Sequence, residues 1–301
     1  MKQDRITEAL ERAQAQGTAL GDGSGAGRGL RGGPAAQLTA VNRKAEFMRA
    51  SPAGTSVVYT HTRVARVAQD ELLRCRVAVP GALTEFVDAV KLVRTQVVQR
   101  MREHGWRTLA VVSPNEGEGK TFTAVNIAVS MAAEYDQTVL LVDANLRRPA
   151  IHSYFGLSAE PGLANYLVER VAVDSILVNP GIERLVIMPG GTPQQRSAEL
   201  LGSNLMTTLM ADLRSRYSDR MVVIDLPPLL RSADALAFAP LADAIVMVVE
   251  DNHSNREDIL RAQQLLSGTN LLGIILNKAR ETRRDADQRP AGFFRRLFNR
   301  G

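Results

Sequence analysis

Six short aliphatic runs alternate with longer segments of helical periodicity between residues 81 and 280. A short run that is continuously apolar predicts a strand covered on both faces, which occurs mainly in parallel sheets. Parallel strands need crossover connections, and the intervening segments supply helices for them. We therefore predict an α/β fold with a doubly wound, mainly parallel sheet and helices on both faces. The predicted strands are 108–113, 138–143, 184–190, 221–228, 244–250 and 271–277, and the predicted helices are 84–103, 120–134, 198–216, 232–240 and 255–267.

The sequence on either side of this region has few apolar residues arranged so that they could form a core. Residues 1–80 begin with a short amphipathic pattern and continue into a glycine-rich stretch, so we expect a flexible N-terminal region with one short helix and a linker. Residues 281–301 form a basic tail. We therefore divide the chain into an N-terminal region (1–80), one folded domain (81–280) and the tail (281–301).

Charge and composition exclude several classes of protein. The net charge is +5, and the last 22 residues carry +4 of it, as seven arginines against three acidic residues. The rest is nearly neutral, which argues against a nucleic-acid-binding face. A single cysteine excludes an intramolecular disulfide, and the four histidines lack metal-ligand spacing, so we predict no zinc site. No apolar run approaches the ~18 residues that span a bilayer, and we expect a cytoplasmic protein.

The segment GEGKT, which ends at Thr121, lies between a predicted strand and a predicted helix, as a phosphate-binding loop does. Gly117 and Gly119 would let backbone N–H groups turn towards phosphates, and the following helix would point its positive N-terminus at them. Lys120 would add a charge over the β- and γ-phosphates, and the Thr121 hydroxyl could ligate Mg²⁺. The alternative is a surface turn, because Pro114 replaces the first glycine of the standard pattern.

Two later strands each end in an aspartate, Asp143 in VLLVD and Asp225 in VVID. Ligands of open α/β sheets bind at the carboxyl edge, where these side chains would lie. Carboxylates there can hold Mg²⁺ directly or through water. Either aspartate alone could be a helix cap, but both together, after a phosphate loop, favour a site for ATP and Mg²⁺.

These motifs together resemble the bacterial tyrosine kinases of capsule and exopolysaccharide systems. The resemblance spans roughly residues 81–280, and ITEALERAQ near the N-terminus more loosely resembles the branch found beside exosortase genes. The stretches that carry it are GEGKT (117–121), VLLVDANLRRPAIHSYFG (139–156), PGLANYL (161–167), RSAELLGS (196–203), VVIDLPPLL (222–230) and ADALAFAPLADAIVMVVE (233–250).

The resemblance implies a P-loop NTPase fold that binds ATP and Mg²⁺. Walker motif A would be residues 117–121, motif A′ would centre on Asp143 and include Arg147 and Arg148, and motif B would centre on Asp225. The implied catalytic residues are Lys120, Asp143, Asn145 and Asp225; the nucleotide contacts are Gly117, Glu118, Gly119, Lys120, Thr121, Phe122 and Asn277; the metal ligands are Thr121, Asp143 and Asp225. Asn277 would contact adenine, or it is an ordinary turn residue after the last strand.

The resemblance also implies a contact between subunits. The family carries an acidic-x-x-basic-x-x-Arg pattern that assembles rings, and here it reads Asp88, Lys91 and Arg94, on one side of a predicted helix. The alternative is a solvated helix face, since the usual residues are Glu-Arg-Arg. The MinD/ParA positioning ATPases share the fold but carry a lysine early in the loop, where this chain has Asn115.

Two departures from the family weaken the expectation of strong kinase activity. Asn145 stands where the family usually has a second aspartate, and an amide cannot accept the proton of an acceptor hydroxyl. The tail has none of the family's acceptor tyrosines, and of the five tyrosines only Tyr59 lies outside the predicted domain.

These observations leave two main hypotheses. One is an ATP–Mg²⁺-binding kinase-like protein that regulates exopolysaccharide polymerisation or export by tyrosine phosphorylation. The other is a catalytically weak, nucleotide-gated assembly switch of the same system, and a positioning ATPase comes third. In the first two, we expect a homo-oligomer and a membrane-embedded polysaccharide co-polymerase as partner. FFRRLF in the tail could lie on an anionic membrane surface, or be solvated.

Overall fold

The computed structural model describes residues 62–134, 137–215 and 220–279. The amphipathic pattern near the N-terminus, the glycine-rich stretch, Tyr59 and the basic tail lie outside the described residues. The strands are β1 (Arg63–Val64), β2 (Thr108–Val112), β3 (Thr138–Asp143), β4 (Val178–Asn179), β5 (Leu185–Met188), β6 (Arg220–Asp225), β7 (Ala244–Glu250) and β8 (Leu271–Asn277). The helices are α1 (Gln69–Arg74), α2 (Thr84–Glu103), α3 (Lys120–Ala132), α4 (Ile151–Tyr154), α5 (Leu163–Glu169), α6 (Ser197–Leu201), α7 (Asn204–Ser215), α8 (Asp234–Phe238) and α9 (Arg256–Leu265).

Within these residues, eight strands form one sheet in the order β1-β4-β5-β3-β6-β2-β7-β8. Neighbouring strands pair in parallel except β4 and β5, which are antiparallel. The predicted α/β fold with a mainly parallel sheet is therefore confirmed. The two-residue strand β4 was not predicted, because such a short element carries no periodic signal.

Helices cover both faces of the sheet, which explains why the strands are continuously apolar. In β2, Leu109 and Val111 belong to one core cluster, whereas Ala110 and Val112 belong to the other. Helices α1 to α4 pack on the first cluster, and α5 to α9 pack on the second. Alternate residues of each central strand are therefore buried on opposite sides.

The first core cluster extends into a stretch that the sequence assigned to the N-terminal region. Leu72, Val77 and Val79 are 5%, 0% and 7% exposed and pack beneath the sheet. Their run is too short and too mixed to give a helical or strand period. Within the described residues, no helix is long and apolar enough to cross a membrane.

Element boundaries differ from the prediction where local chemistry interrupts a pattern. The predicted helix 198–216 is two helices, α6 and α7, because the chain turns at Gly202 and Ser203. The Ser203 hydroxyl accepts the Met206 N–H at 3.2 Å and so caps the start of α7. The predicted strand 221–228 ends at Asp225, since Pro227 and Pro228 have no N–H to pair.

The order of the central strands positions the functional site. β6 lies between β3 and β2, and all three run in parallel. Asp143 is directly opposite Asp225 in the β3–β6 register, and Val111 is opposite Asp225 in the β2–β6 register. Both aspartates and the loop after β2 therefore meet at one carboxyl edge of the sheet, as parallel pairing requires.

Candidate nucleotide-binding site

The loop between β2 and α3 has the backbone shape of a phosphate-binding loop. Gly117 and Gly119 have φ of 83° and 90°, a region that residues with a Cβ rarely adopt. A Cβ at Gly119 would also collide with the Asn277 side-chain amide. The helix α3 begins at Lys120, so its positive N-terminus opens directly from this loop.

Three side chains form a hydrogen-bonded network below the loop. The Thr121 hydroxyl donates to Asp225 Oδ2 at 2.6 Å, and Lys120 Nζ lies 3.4 Å from Asp225 Oδ1. Lys120 Nζ also lies 3.1 Å from Thr121 Oγ1. Asp225 is fully buried, so these donors compensate for part of its loss of water. The structure thus brings together Lys120, Thr121 and Asp225, as the sequence predicts.

Asp143 lies beside this network, held by backbone donors. Its Oδ2 accepts the N–H groups of Ala150 at 2.8 Å and Ile151 at 2.9 Å, and its Oδ1 accepts that of Asn145 at 3.2 Å. Burial, together with the charge of Asp225, raises the pKa of Asp143 to about 7, although the Ile151 and Ala150 N–H groups and Lys120 act in the opposite direction. The segment 144–151 is therefore wrapped around the Asp143 carboxylate.

The two buried carboxyls fit a divalent cation. Burial also raises the pKa of Asp225, with Lys120 and Thr121 acting in the opposite direction. Two adjacent buried carboxyls disfavour their joint ionisation, and a bound cation would relieve this. Among the described residues no group of three or more His, Cys, Asp or Glu could hold a metal by itself. Mg²⁺ usually takes one or two carboxylates together with phosphate oxygens and water, and Asp143 and Asp225 could supply two carboxylates.

A cavity of about 620 Å³ opens above the network. Its walls come from the phosphate loop, the segment after β3 and the segment after β6. The lining residues are Glu116, Gly117, Gly119, Lys120, Thr121, Phe122, Asn145, Arg147, Arg148, Ala150, Tyr154, Gln194, Gln195, Pro227, Pro228, Arg231 and Ser232. Asn145, at the position where we expected a second aspartate from the family resemblance, therefore lies on the cavity wall together with Lys120 and Thr121.

Comparisons with known proteins decide the family. A sequence model described as the CobQ/CobB/MinD/ParA nucleotide binding domain matches residues 109–291. Tyrosine-protein kinase YwqD of Bacillus subtilis is 31% identical over 189 residues, which are 62% of this chain and 78% of that protein. This chain belongs to the bacterial tyrosine kinase family.

Two further matches agree with this assignment. The kinase domain of the Escherichia coli tyrosine kinase ETK superposes with a TM-score of 0.65 at 25% identity, covering 73% of this chain and 90% of that one. The succinoglycan biosynthesis transport protein ExoP of Rhizobium meliloti is 32% identical over 209 residues, 67% of this chain but 26% of that longer protein. The recognised family and its P-loop fold are thus confirmed.

Two residues predicted to bind nucleotide in this kinase-family site have side chains that support the loop. The Glu118 carboxylate is 1% exposed and accepts the Asn115 N–H at 2.7 Å and the Ser254 hydroxyl at 2.5 Å. The Asn277 amide donates to the Glu118 carbonyl at 3.0 Å. Neither residue lines the cavity, so their contacts with nucleotide stay predictions. A negative side chain in a phosphate loop is tolerable when it points away from the phosphates.

Asn115, at the position where we expected a lysine in the MinD/ParA proteins, has a hydrogen-bond partner of its own. Asn115 Nδ2 donates to Asp258 Oδ2 at 2.8 Å, at the first turn of α9. Lys278 Nζ, after β8, donates to the Gly117 carbonyl at 3.0 Å. The phosphate loop is therefore fixed on one side by the segments that follow β7 and β8.

Sequence reasoning missed the residues that hold the two arginines of motif A′. Arg147 Nε is 2.9 Å from Oδ2 of the buried Asp234, and Arg148 lies 2.8 Å from Glu116 Oε2. Asp234 and Glu116 are distant from these arginines in sequence, so no spacing rule identifies them as partners. Arg231 also lines the cavity and carried no motif signal; only its position six residues after Asp225 could have suggested it.

The predicted assembly residues divide into two kinds. Asp88 and Lys91 are exposed on α2, and their side-chain charges lie 3.4 Å apart. Arg94, whose side chain is 18% exposed, instead contacts Glu134 at 3.1 Å within the same chain. A role in assembly stays a prediction for all three. To contact another subunit, Arg94 would have to break or share its ion pair with Glu134.

Proposed function

We propose that this protein binds ATP with Mg²⁺ and regulates exopolysaccharide polymerisation or export as a kinase-like P-loop ATPase. The observation that carries the proposal is the network of Lys120, Thr121 and Asp225 directly beneath a loop with two left-handed glycines. The family assignment supports it, because the matched domain is a nucleotide-binding domain and YwqD is named a tyrosine-protein kinase.

Different residues would bind the phosphates and the metal ion of Mg·ATP. Backbone N–H groups around Gly117 and Gly119, with the N-terminus of α3 and Lys120, would hold the phosphates. Thr121 and Asp225 would ligate Mg²⁺, and Asp143 would act on it directly or through water. The bound cation would neutralise charge on the transferring phosphoryl group. Phe122 would contribute its backbone and one cavity wall, and its ring is held by Phe86 at a centroid distance of 5.6 Å.

Asn145 limits what the site does with an acceptor hydroxyl. Its amide can orient the hydroxyl through a hydrogen bond but cannot accept the proton. Because the transition state of phosphoryl transfer is loose and needs little base assistance, transfer to tyrosine slows without being abolished. The alternative, a nucleotide-gated assembly switch, is favoured by this same residue and by the lack of tyrosine in residues 281–301.

The experiment that separates these readings follows both products of labelled ATP. Purified wild-type protein and the Asn145→Asp variant would be assayed for phosphotyrosine and for free phosphate. We expect slow transfer to tyrosine in the wild type and an increase of about tenfold in the variant, less than the ~10²–10⁴-fold of a typical positioned base, because the loose transition state needs little base assistance. Fast transfer by the wild type, unchanged in Asn145→Asp, would show that the asparagine does not limit the reaction.

The partner we propose is a membrane-embedded polysaccharide co-polymerase. The match with ExoP supports a polysaccharide system, since that protein is named for succinoglycan biosynthesis and transport. We also propose that copies of this chain assemble through the α2 surface that carries Asp88 and Lys91. Contact of the tail with a membrane and a cytoplasmic location stay predictions. Co-purification of the tagged chain with a co-polymerase encoded nearby, in an ATP-dependent manner, tests the partnership.

A further inference from the structure

Four cationic side chains line the cavity above the phosphate loop, and three of them are paired with carboxylates. Lys120 pairs with Asp225 at 3.4 Å, Arg147 with Asp234 at 2.9 Å and Arg148 with Glu116 at 2.8 Å. Among the described residues, the fourth cation, Arg231, has no ion pair and no side-chain hydrogen bond. Within the described part of the chain, the cavity therefore contains one guanidinium that has no carboxylate partner.

The backbone that carries Arg231 is fixed to the phosphate loop. The Leu229 N–H donates to the Ser113 carbonyl at 2.9 Å, and the Leu230 N–H donates to the Pro114 carbonyl at 3.1 Å. Leu229 is 2% exposed, which anchors this segment in the core. The position of the Arg231 Cα is thus set relative to the loop, while its side chain is exposed and free to turn.

Arg231 also stands where two cavities meet. It lines the 620 Å³ cavity with Gly117, Lys120 and Thr121. It lines an adjacent cleft of about 420 Å³ with Asn115, Glu116, His253, Asn255 and Asp258. A guanidinium at this border can reach an anion that projects from the phosphate loop towards the mouth.

We propose that Arg231 binds the terminal phosphate of ATP and so makes the site distinguish ATP from ADP. The inference rests on the proposed nucleotide site and adds a specificity-determining residue to it. The phosphate loop and the N-terminus of α3 act on the phosphates that ADP and ATP share, and Lys120 reaches the β- as well as the γ-phosphate. Arg231, at the mouth, would meet the group that ADP lacks. A guanidinium suits this task because its planar donors can bind two phosphate oxygens at once.

The charge on the cavity wall favours the same ligand. Asn145, which lines this wall beside Lys120 and Thr121, is neutral and adds no negative charge there. The terminal phosphate then meets less repulsion, and a cation facing it from Arg231 adds attraction. The competing ligand for Arg231 would be an acidic segment around an acceptor tyrosine. The binding experiment distinguishes this segment from the terminal phosphate.

The test compares the affinities of two nucleotides in matched variants. Dissociation constants for Mg·ADP and for a non-hydrolysable Mg·ATP analogue would be measured with wild type, Arg231→Ala and Arg231→Lys. We expect Arg231→Ala to bind the ATP analogue about tenfold or more weakly, with ADP affinity changed less than about twofold. Arg231→Lys should fall between them, since an ammonium keeps the charge but not the paired donors.

Arg261→Ala is the matched control, because Arg261 is an exposed arginine on α9 that does not line the cavity. It should leave both affinities unchanged. Equal losses for ADP and the ATP analogue in Arg231→Ala would overturn the inference, as would no loss at all. Unchanged nucleotide affinities with a raised KM for an acidic tyrosine peptide would overturn it in favour of acceptor binding. If the wild type binds neither nucleotide, the proposed function itself fails and takes the inference with it.

Discussion

At the scale of single residues, burial and the neighbouring Asp225 raise the pKa of the Asp143 carboxyl, and we expect this group to make stability depend on pH. Its backbone donors hold it in place, but they do not outweigh the cost of removing it from water beside Asp225. Hydrogen bonds thus fix the position of the carboxyl, while burial and the charge of Asp225 disfavour its ionised form. This combination suits a group whose charge is needed only when a cation is bound.

The stability of the nucleotide-free protein should fall as pH rises towards 7. Asp143 has a pKa of about 7 in the folded protein, whereas its ordinary value, which applies to the unfolded chain, is 3.8. Its contribution to stability is therefore complete below about pH 4 and is lost progressively as the pH rises from about 4 to about 7. The decline from this carboxyl is at most about 1.4 kcal/mol per pH unit. Thermal unfolding between pH 5 and 8 measures it, and Asp225, whose pKa is also raised, acts with the same sign.

Asp143→Asn is the matching variant for this pH profile. Its amide oxygen can still accept the N–H groups of Ala150 and Ile151, while the titrating group is gone. The profile of the variant should be flatter than that of the wild type. Parallel profiles in the two proteins would mean that Asp143 titrates normally.

At the scale of elements, the loop between β2 and α3 depends on two glycines for different reasons. Both have left-handed backbone angles, but only Gly119 has a neighbour where a Cβ would be, the Asn277 amide; nothing lies within 4 Å at Gly117. We therefore predict that Gly119→Ala lowers the free energy of unfolding more than Gly117→Ala. The strain common to both is roughly 1–2 kcal/mol, and denaturant unfolding measures the difference. Equal losses of unfolding free energy in the two variants would show that the Asn277 side chain moves aside at little energetic cost.

The sequence predicted those elements whose signal is local. The central strands, α2 and α3 lie around a motif with the order strand, GEGKT, helix, and Asp143 and Asp225 were predicted because each ends a strand. What it could not predict depends on contacts between distant segments. The pairing of Arg147 with Asp234, and the tie between Asn115 and Asp258, join residues that no periodicity relates. The strand β4 is likewise too short to show a period.

At the scale of the whole molecule, α2 connects the stability of one chain with contacts between chains. Arg94 faces inward to Glu134, and Lys91 faces outward beside Asp88. Arg94→Ala should lower the free energy of unfolding by about 0.5–1 kcal/mol, because Glu134 loses one arginine partner and keeps Arg102 at 3.4 Å. Lys91→Ala should leave unfolding unchanged and reduce the oligomer size seen by light scattering. The reverse assignment of effects would show that Arg94 serves assembly alone.

The central claim is that Lys120, Thr121 and Asp225 form a site for the phosphates of ATP with Mg²⁺. Isothermal titration of Mg·ATP analogue into wild type and Lys120→Ala tests it most directly, with circular dichroism to verify that the variant is folded. We predict Mg²⁺-dependent binding by the wild type and a loss of tenfold or more in the variant, since a charged hydrogen bond contributes about 1.5–3 kcal/mol. Equal affinity in the two folded proteins would contradict the account.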